Sequence, residues 1–149
     1  MRVRKAEPGD YRDLLRWRTA LWPQFPEKHQ GLLGEMLKGA AIGTLPYQLF
    51  IAQLEAQNVG FIEVSLRSRA DGCDPHQPVA YIEAWYVEAQ FQGRGFGKAL
   101  FQVAEEWARR QGCLEMASDT WLRTPDAQRA HESLGFSEVD RCIHYLKKI

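Results

Sequence analysis

An apolar, strand-like run from Val79 to Val87 leads into Gln92-Gly93-Arg94-Gly95-Phe96-Gly97 and then into a long amphipathic stretch that stops at Gly112. A strand, a glycine-rich loop and a helix in that order constrain the fold more than any other feature of the chain. The glycines let the backbone approach a ligand with no Cβ in the way, and the free N–H groups of the helix start converge on an anion. Arg94 and Lys98 add mobile positive charge. A glycine loop alone fits a simple tight turn equally well; its place between strand and helix favours a cradle for a phosphorylated cofactor. A dinucleotide fingerprint would sit near the start of a βαβ repeat with an acid roughly 20 residues on, whereas here several strands precede it. A Walker loop is excluded, since no Gly-Lys-Ser or Gly-Lys-Thr occurs.

The rest of the chain supplies the elements around that unit. Val3 to Ala6 reads as a short first strand, and Pro8-Gly9-Asp10 as a turn whose Asp10 caps the next helix. Leu14, Trp17 and Leu21 repeat at helical spacing, Trp22-Pro23-Gln24-Phe25-Pro26 breaks that helix, and Leu32, Leu33, Met36 and Leu37 mark a second one ending near Gly39. Tyr47 to Leu54 and Val59 to Leu66 form a hairpin across Glu55-Ala56-Gln57-Asn58, and Arg67 to Pro78 is loop. The long helix spans Gly95 to Gln111, with Ala99, Leu100, Val103, Ala104 and Trp107 on one face. Leu114 to Ser118 follows as a fifth strand. Thr124-Pro125-Asp126 opens a helix that reaches Leu134 and stops at Gly135. Val139 to Leu146 alternates, as a last strand would. The expected class is α/β, with a mixed, mostly antiparallel central sheet and flanking helices.

At 149 residues the chain is most economically one domain, residues 1–149, with no linker or repeat. Nineteen Lys and Arg balance nineteen Asp and Glu, so nothing in the charge calls for nucleic acid, and a small-molecule partner is expected. Cys73, Cys113 and Cys142 are odd in number and irregularly spaced, which argues for a reducing compartment and against both a disulfide framework and a metal site. The charged start, Met1-Arg2-Val3-Arg4-Lys5, lacks the apolar run of a signal peptide, and no segment approaches about 18 apolar residues. The expectation is a soluble cytoplasmic protein.

The pattern Gln-x-x-Gly-x-Gly at Gln92, Gly95 and Gly97 resembles the acetyl-CoA pyrophosphate loop of the GCN5-related N-acetyltransferase superfamily, whose element order matches the one read above. Three further pieces resemble one branch, the aminoglycoside 6'-N-acetyltransferases: Leu21-Trp22-Pro23, Tyr81-Ile82-Glu83-Ala84-Trp85-Tyr86-Val87, and Ala117-Ser118-Asp119-Thr120 with His131-Glu132-Ser133-Leu134-Gly135-Phe136. The resemblance implies a sheet whose fourth and fifth strands splay apart beside the acetyl group. It implies acetyl-CoA as cosubstrate, no metal, and a homodimer. The cofactor would lie against Gln92, Gly93, Arg94, Gly95, Phe96, Gly97 and Lys98, with its pantetheine arm paired to the backbone of Trp85, Tyr86 and Val87. Val87 N–H would stabilise the oxyanion of the tetrahedral intermediate.

An aminoglycoside is a polycation, so its pocket wants carboxylates for ammonium groups and aromatics for sugar faces. Glu83 and Asp119 supply the carboxylates and are the candidate bases for an amine that attacks the thioester directly in a ternary complex. The alternative for Glu83 is a strand acid paired with a neighbouring Arg; for Asp119, a loop cap. Trp22 and Phe25 would wall the sugar site or lid the core, and Asp140 is a further amine contact that the resemblance suggests. His131 stands where many superfamily members have a Tyr that protonates the leaving thiolate, and it either serves as that acid or is structural. Thr124 stands where the family commonly has an Asn touching the cofactor, and it either keeps that contact or only caps its helix. Glu27, Glu35 and Glu63 would widen the acidic field or be solvated surface. Cys113 reads as a small core residue and not as an acetyl carrier. The competing functions are acetyl transfer to a polyamine or to a peptide or protein amine, and a noncatalytic acetyl-CoA-binding module.

Overall fold

The computed structural model describes residues 1–24, 26–37 and 45–149. Phe25 and the end of the second helix near Gly39 fall outside those residues. Five strands form one sheet in the order β1-β2-β3-β4-β5: β1 (Arg2–Lys5), β2 (Tyr47–Leu54), β3 (Gln57–Arg67), β4 (Val79–Val87) and β5 (Met116–Ser118). The first four run antiparallel to their neighbours and β5 runs parallel to β4. Helices α1 (Tyr11–Leu21) and α2 (Pro26–Leu37) cover one face, while α3 (Phe96–Arg110) covers the other, with α4 (Pro125–Ser133) following β5.

β2, β3 and β4 alternate between two cores, as strands buried on both faces must. Phe50, Ala52, Ile62, Val64, Ala80 and Ile82 pack with Leu100, Phe101 and Ala104 of α3. Leu49, Ile51, Phe61 and Ala84 pack with Leu14 and Trp17 of α1 and Leu33 and Met36 of α2. Trp17 stacks on Phe61 at 5.8 Å between centroids and donates its indole N–H to Glu88.

The ends of the elements differ from expectation in three places. Asp10 does not cap α1; its carboxylate accepts the Glu7 N–H at 2.8 Å in a capping box around a short 3₁₀ turn, Pro8–Asp10. The segment Val139–Leu146 joins no sheet. Residues 137–149 form no regular secondary structure, and Val139, Ile143, Tyr145 and Leu146 are exposed, Tyr145 at 90%. The alternation there is real, but no strand edge among the described residues receives it. Finally, β5 is shorter than Leu114–Ser118. Gly112, at φ +83°, ends α3 as expected. Among the described residues no helix is long and apolar enough to cross a membrane.

Candidate active site

Glu83 owes its position to an irregularity in β4. Glu63 pairs with Ala84 and Val64 with Ile82, so Glu83 is an extra residue, a β-bulge. The alternation flips there: Ile82 and Trp85 face the α3 core, Ala84 faces α1 and α2, and the Glu83 carboxylate joins the same side as Ala84. It lines an open cleft of about 530 Å³ with Arg18, Trp22, His29, Leu32, Leu45, Tyr47, Glu63, Ser65, Leu66 and Arg67.

Both acids of that cleft carry a resident cation. Glu63 is 7% exposed and is ion-paired with Arg18, also 7% exposed. Burial pushes the Glu63 carboxyl up to about 7, Arg18 pulls it down, and the Glu83 charge adds to the rise. Glu83, 26% exposed, accepts a bidentate pair from Arg67, Nε to Oε1 at 2.8 Å and Nη2 to Oε2 at 2.6 Å, plus the Ser65 hydroxyl. The pairing with an arginine and the place in a cleft were set as alternatives for Glu83; the structure has both. Trp22 walls the cleft, with the Arg18 guanidinium 5.0 Å from its ring and His29 stacked on it. His29 is buried and its Nε2 lies 3.1 Å from the Trp22 carbonyl.

Asp119 follows the last residue of β5, exposed, at the same end of the sheet. It reaches Tyr81, whose phenol is pushed up to about 12 by burial first and by the Asp119 carboxylate second. Asp140 sits apart, on the exposed terminal segment, with its carboxylate turned to the Arg141 N–H.

The opposite side of β4 is built for an extended ligand. β5 pairs with β4 only from Ala80↔Met116 to Ile82↔Ser118. From Glu83 to Val87 the edge of β4 has no strand partner on that side among the described residues, and this gap begins at the bulge. The glycine loop lies at its far end. Gly93 and Gly95 adopt φ +71° and +86°, conformations that suit glycine, and a Cβ at Gly97 would stand 3.0 Å from the Trp85 ring. Gln92 braces the loop by donating its side-chain N–H to Val87 O at 2.9 Å. Arg94 and Lys98 are exposed, and the first amides of α3 have no capping side chain. Tyr86 points to the α1 side, against Trp17, while Trp85 and Val87 turn their side chains to the α3 face that holds Phe91 and Phe96. Trp85 Nε1 is buried and has no hydrogen-bond partner among the described residues.

His131 packs edge-on to Trp85 and Phe136, at 5.6 and 5.4 Å. Its Nδ1 lies 2.7 Å from the Ala127 carbonyl, which can only accept, so Nδ1 carries a hydrogen; Nε2 faces the Ser118 hydroxyl at 2.8 Å. Thr124 does not cap α4 through its side chain. Its hydroxyl donates to Trp121 O at 2.7 Å and lies 3.0 Å from Thr120 Oγ1. Cys113 is buried beside Ala80, and burial pushes its thiol up, away from a nucleophilic thiolate. No group of three metal-ligating side chains occurs among the described residues.

Arg18, Ser65 and Arg67 were missed from sequence. The signal was present: Glu63, Ser65 and Arg67 alternate on one strand, and Arg18 follows Leu14 by four residues on the buried face of α1.

A sheet split between its fourth and fifth strands, with a glycine loop feeding a helix at the split, is the frame of an acetyltransferase. The chain belongs to the acetyltransferase (GNAT) family, whose model matches residues 14–136. Within that family it lies in the aminoglycoside 6'-N-acetyltransferase branch. It is 37% identical over 146 residues to the aminoglycoside N(6')-acetyltransferase type 1 of Serratia marcescens, covering 94% of this chain and 96% of that one. The enzyme of the same name from Stenotrophomonas maltophilia is 32% identical over 144 residues, covering 96% and 90%. Among solved structures, AAC(6')-Iy in complex with the bisubstrate analogue CoA-S-monomethyl-acetylneamine superposes with a TM-score of 0.87 at 32% identity, over 99% of this chain and 98% of that one.

Proposed function

We propose that the protein transfers the acetyl group of acetyl-CoA to the 6'-amino group of aminoglycosides, by direct amine attack in a ternary complex, and so confers resistance to them. The observation that carries this is the bulge: it sets the Glu83 carboxylate in an open cleft at the point where β4 loses its β5 partner. An amine held there faces the edge along which the thioester would lie. Residues 1–149 act as a single catalytic unit.

Acetyl-CoA would add to the free edge of β4 through the backbone of Trp85, Tyr86 and Val87, with its pyrophosphate on the amides of Gly93 to Lys98 and on the Arg94 and Lys98 charges. The buried Trp85 N–H fits this, since a ligand acceptor would satisfy it. Glu83, with Asp119, holds the ammonium and takes its proton, directly or through water. The nitrogen lone pair then forms the C–N bond, the carbonyl oxygen passes through an oxyanion near Val87 N–H, the nitrogen gives its second proton to water, and the C–S bond breaks. The thiolate takes up a proton, for which the Ser118 and His131 pair is the candidate source. Thr124 borders the cofactor side, and Trp22, with Phe25 and Asp140, would contact the sugar.

The active form is read as a cytoplasmic homodimer. Residues 137–149 expose Val139, Ile143, Tyr145 and Leu146, while a groove of about 210 Å³ lies between α3, β5 and the turn after α4, lined by Phe101, Leu134 and Phe136 together with Glu105, Arg109 and Glu115. An exposed arm carrying apolar and charged side chains and a groove of mixed apolar and charged lining at a strand edge are complementary between two copies.

Thiol release from acetyl-CoA tests the reaction, comparing tobramycin and kanamycin with a 6'-hydroxyl aminoglycoside, spermidine and a lysine peptide. Turnover confined to the 6'-amino drugs is expected. Turnover on spermidine or peptide alone would keep the family and overturn the substrate, and inertness with tight acetyl-CoA binding would make the protein a binding module.

A further inference from the structure

The two arginine–glutamate pairs of the cleft are unlike, and the difference points to a specificity device. Arg18 and Glu63 are each 7% exposed, with the Arg18 guanidinium over the Trp22 ring, and exchange of either partner would strand a buried charge. Arg67 is 43% exposed, at the last residue of β3, and its guanidinium lies 3.4 Å from the centre of the Tyr81 ring while its fork grips Glu83. A planar cation held by a carboxylate and an aromatic face uses the same contacts that an amino sugar would need.

We propose that Arg67 is a resident counter-ion standing at Glu83 where a substrate ammonium must bind, and that the need to displace it makes the cleft select polycations over single amines. This rests on the reading that Glu83 receives the amine. Tethered to its own chain, Arg67 competes at an effective concentration on the order of millimolar or higher. A single ammonium that replaces it exchanges one charge-assisted contact for another and gains little. A polycation brings several charges at once and can meet Glu83 and Asp119 with separate ammonium groups, whereas Arg67 offers both carboxylates a single guanidinium. When the cleft is empty, Arg67 keeps the Glu83 carboxylate neutralised beside Glu63, which would otherwise repel it. Ser65, bonded to the same carboxylate, holds its orientation while the cation changes.

The test is calorimetric binding of tobramycin, spermine and butylamine, without acetyl-CoA, to wild type, Arg67→Ala and Arg67→Gln. Arg110→Ala removes the same charge from an exposed pair with Glu106 on α3 and controls for net charge. Both Arg67 variants are expected to bind butylamine about two- to fivefold more tightly, and tobramycin by a smaller factor, so that selectivity falls. Amine KM should follow, with KM for acetyl-CoA unmoved and Arg110→Ala like wild type. Arg67→Gln keeps a side chain of similar reach against Tyr81 should the alanine variant fold poorly. Weaker or unchanged amine binding in both variants overturns the inference and makes Arg67 a support for Glu83. A wild type inert towards tobramycin overturns the functional reading, while the butylamine and spermine titrations still decide the role of Arg67.

Discussion

Burial pushes the Glu63 carboxyl up to about 7, against the pull of Arg18. The native protein therefore holds this proton more tightly than the unfolded chain does. Its stabilising contribution is complete below the ordinary value of 4.5 and is lost as pH rises through about 7. Glu63→Gln cannot titrate, so its thermal midpoint is expected to fall less than that of wild type between roughly pH 5 and pH 8; parallel scanning-calorimetry curves would overturn this. A second residue-scale expectation concerns Gly95. At φ +86° a side chain is strained even though a Cβ would meet only Met1, at an ordinary 3.7 Å. Gly95→Ala should cost about 1–2 kcal/mol and raise KM for acetyl-CoA while leaving KM for the amine in place, which steady-state kinetics with either substrate varied will show. Glycine positions of this kind were legible in the sequence, because loop context announces them. The protonation of Glu63 was not, because it depends on partners that the chain brings in from 45 residues away.

The turn before α1 shows how an element is tied down by one side chain. Asp10 accepts Arg4 Nη1 and Nη2 at 2.7 Å each, the Glu7 amide at 2.8 Å and Asn58 Nδ2 at 3.1 Å, which joins β1, the 3₁₀ turn and β3. Burial raises its pKa, but Arg4 and the Glu7 amide outweigh that and hold the carboxyl below its usual range. Its contribution is therefore present above the ordinary carboxylate pKa and lost as the solution is acidified below it. Asp10→Ala should destabilise the fold by about 2–4 kcal/mol at neutral pH, with a smaller penalty at pH near 3, by urea denaturation. The helices and the hairpin were readable from periodicity, since period 3.6 and period 2 are local properties. The bulge at Glu83 was not, for it is defined only against the register of β3.

For the whole molecule the terminal segment is the decisive departure. An alternating run was expected to close the sheet, and it lies outside it with its apolar side chains in solvent. Removing residues 138–149 is expected to convert a dimer to a monomer in sedimentation velocity and to leave the α1, α2 and α3 cores folded; a full-length chain that sediments as a monomer would sink the dimer reading. Alternation tells a segment to be extended, but a strand also needs an edge, and which edge it finds is a property of the assembled sheet. The same distinction runs through the site. Composition and local pattern determined the α/β class and the glycine loop with its helix, and the family resemblance singled out the acids at positions 83 and 119. Only the tertiary structure decided that Glu83 shares a cleft with Arg18, Glu63 and Arg67, and that each acid there already faces a cation. Charge pairing is set by contacts between distant strands and helices, and local sequence carries their period but not their register.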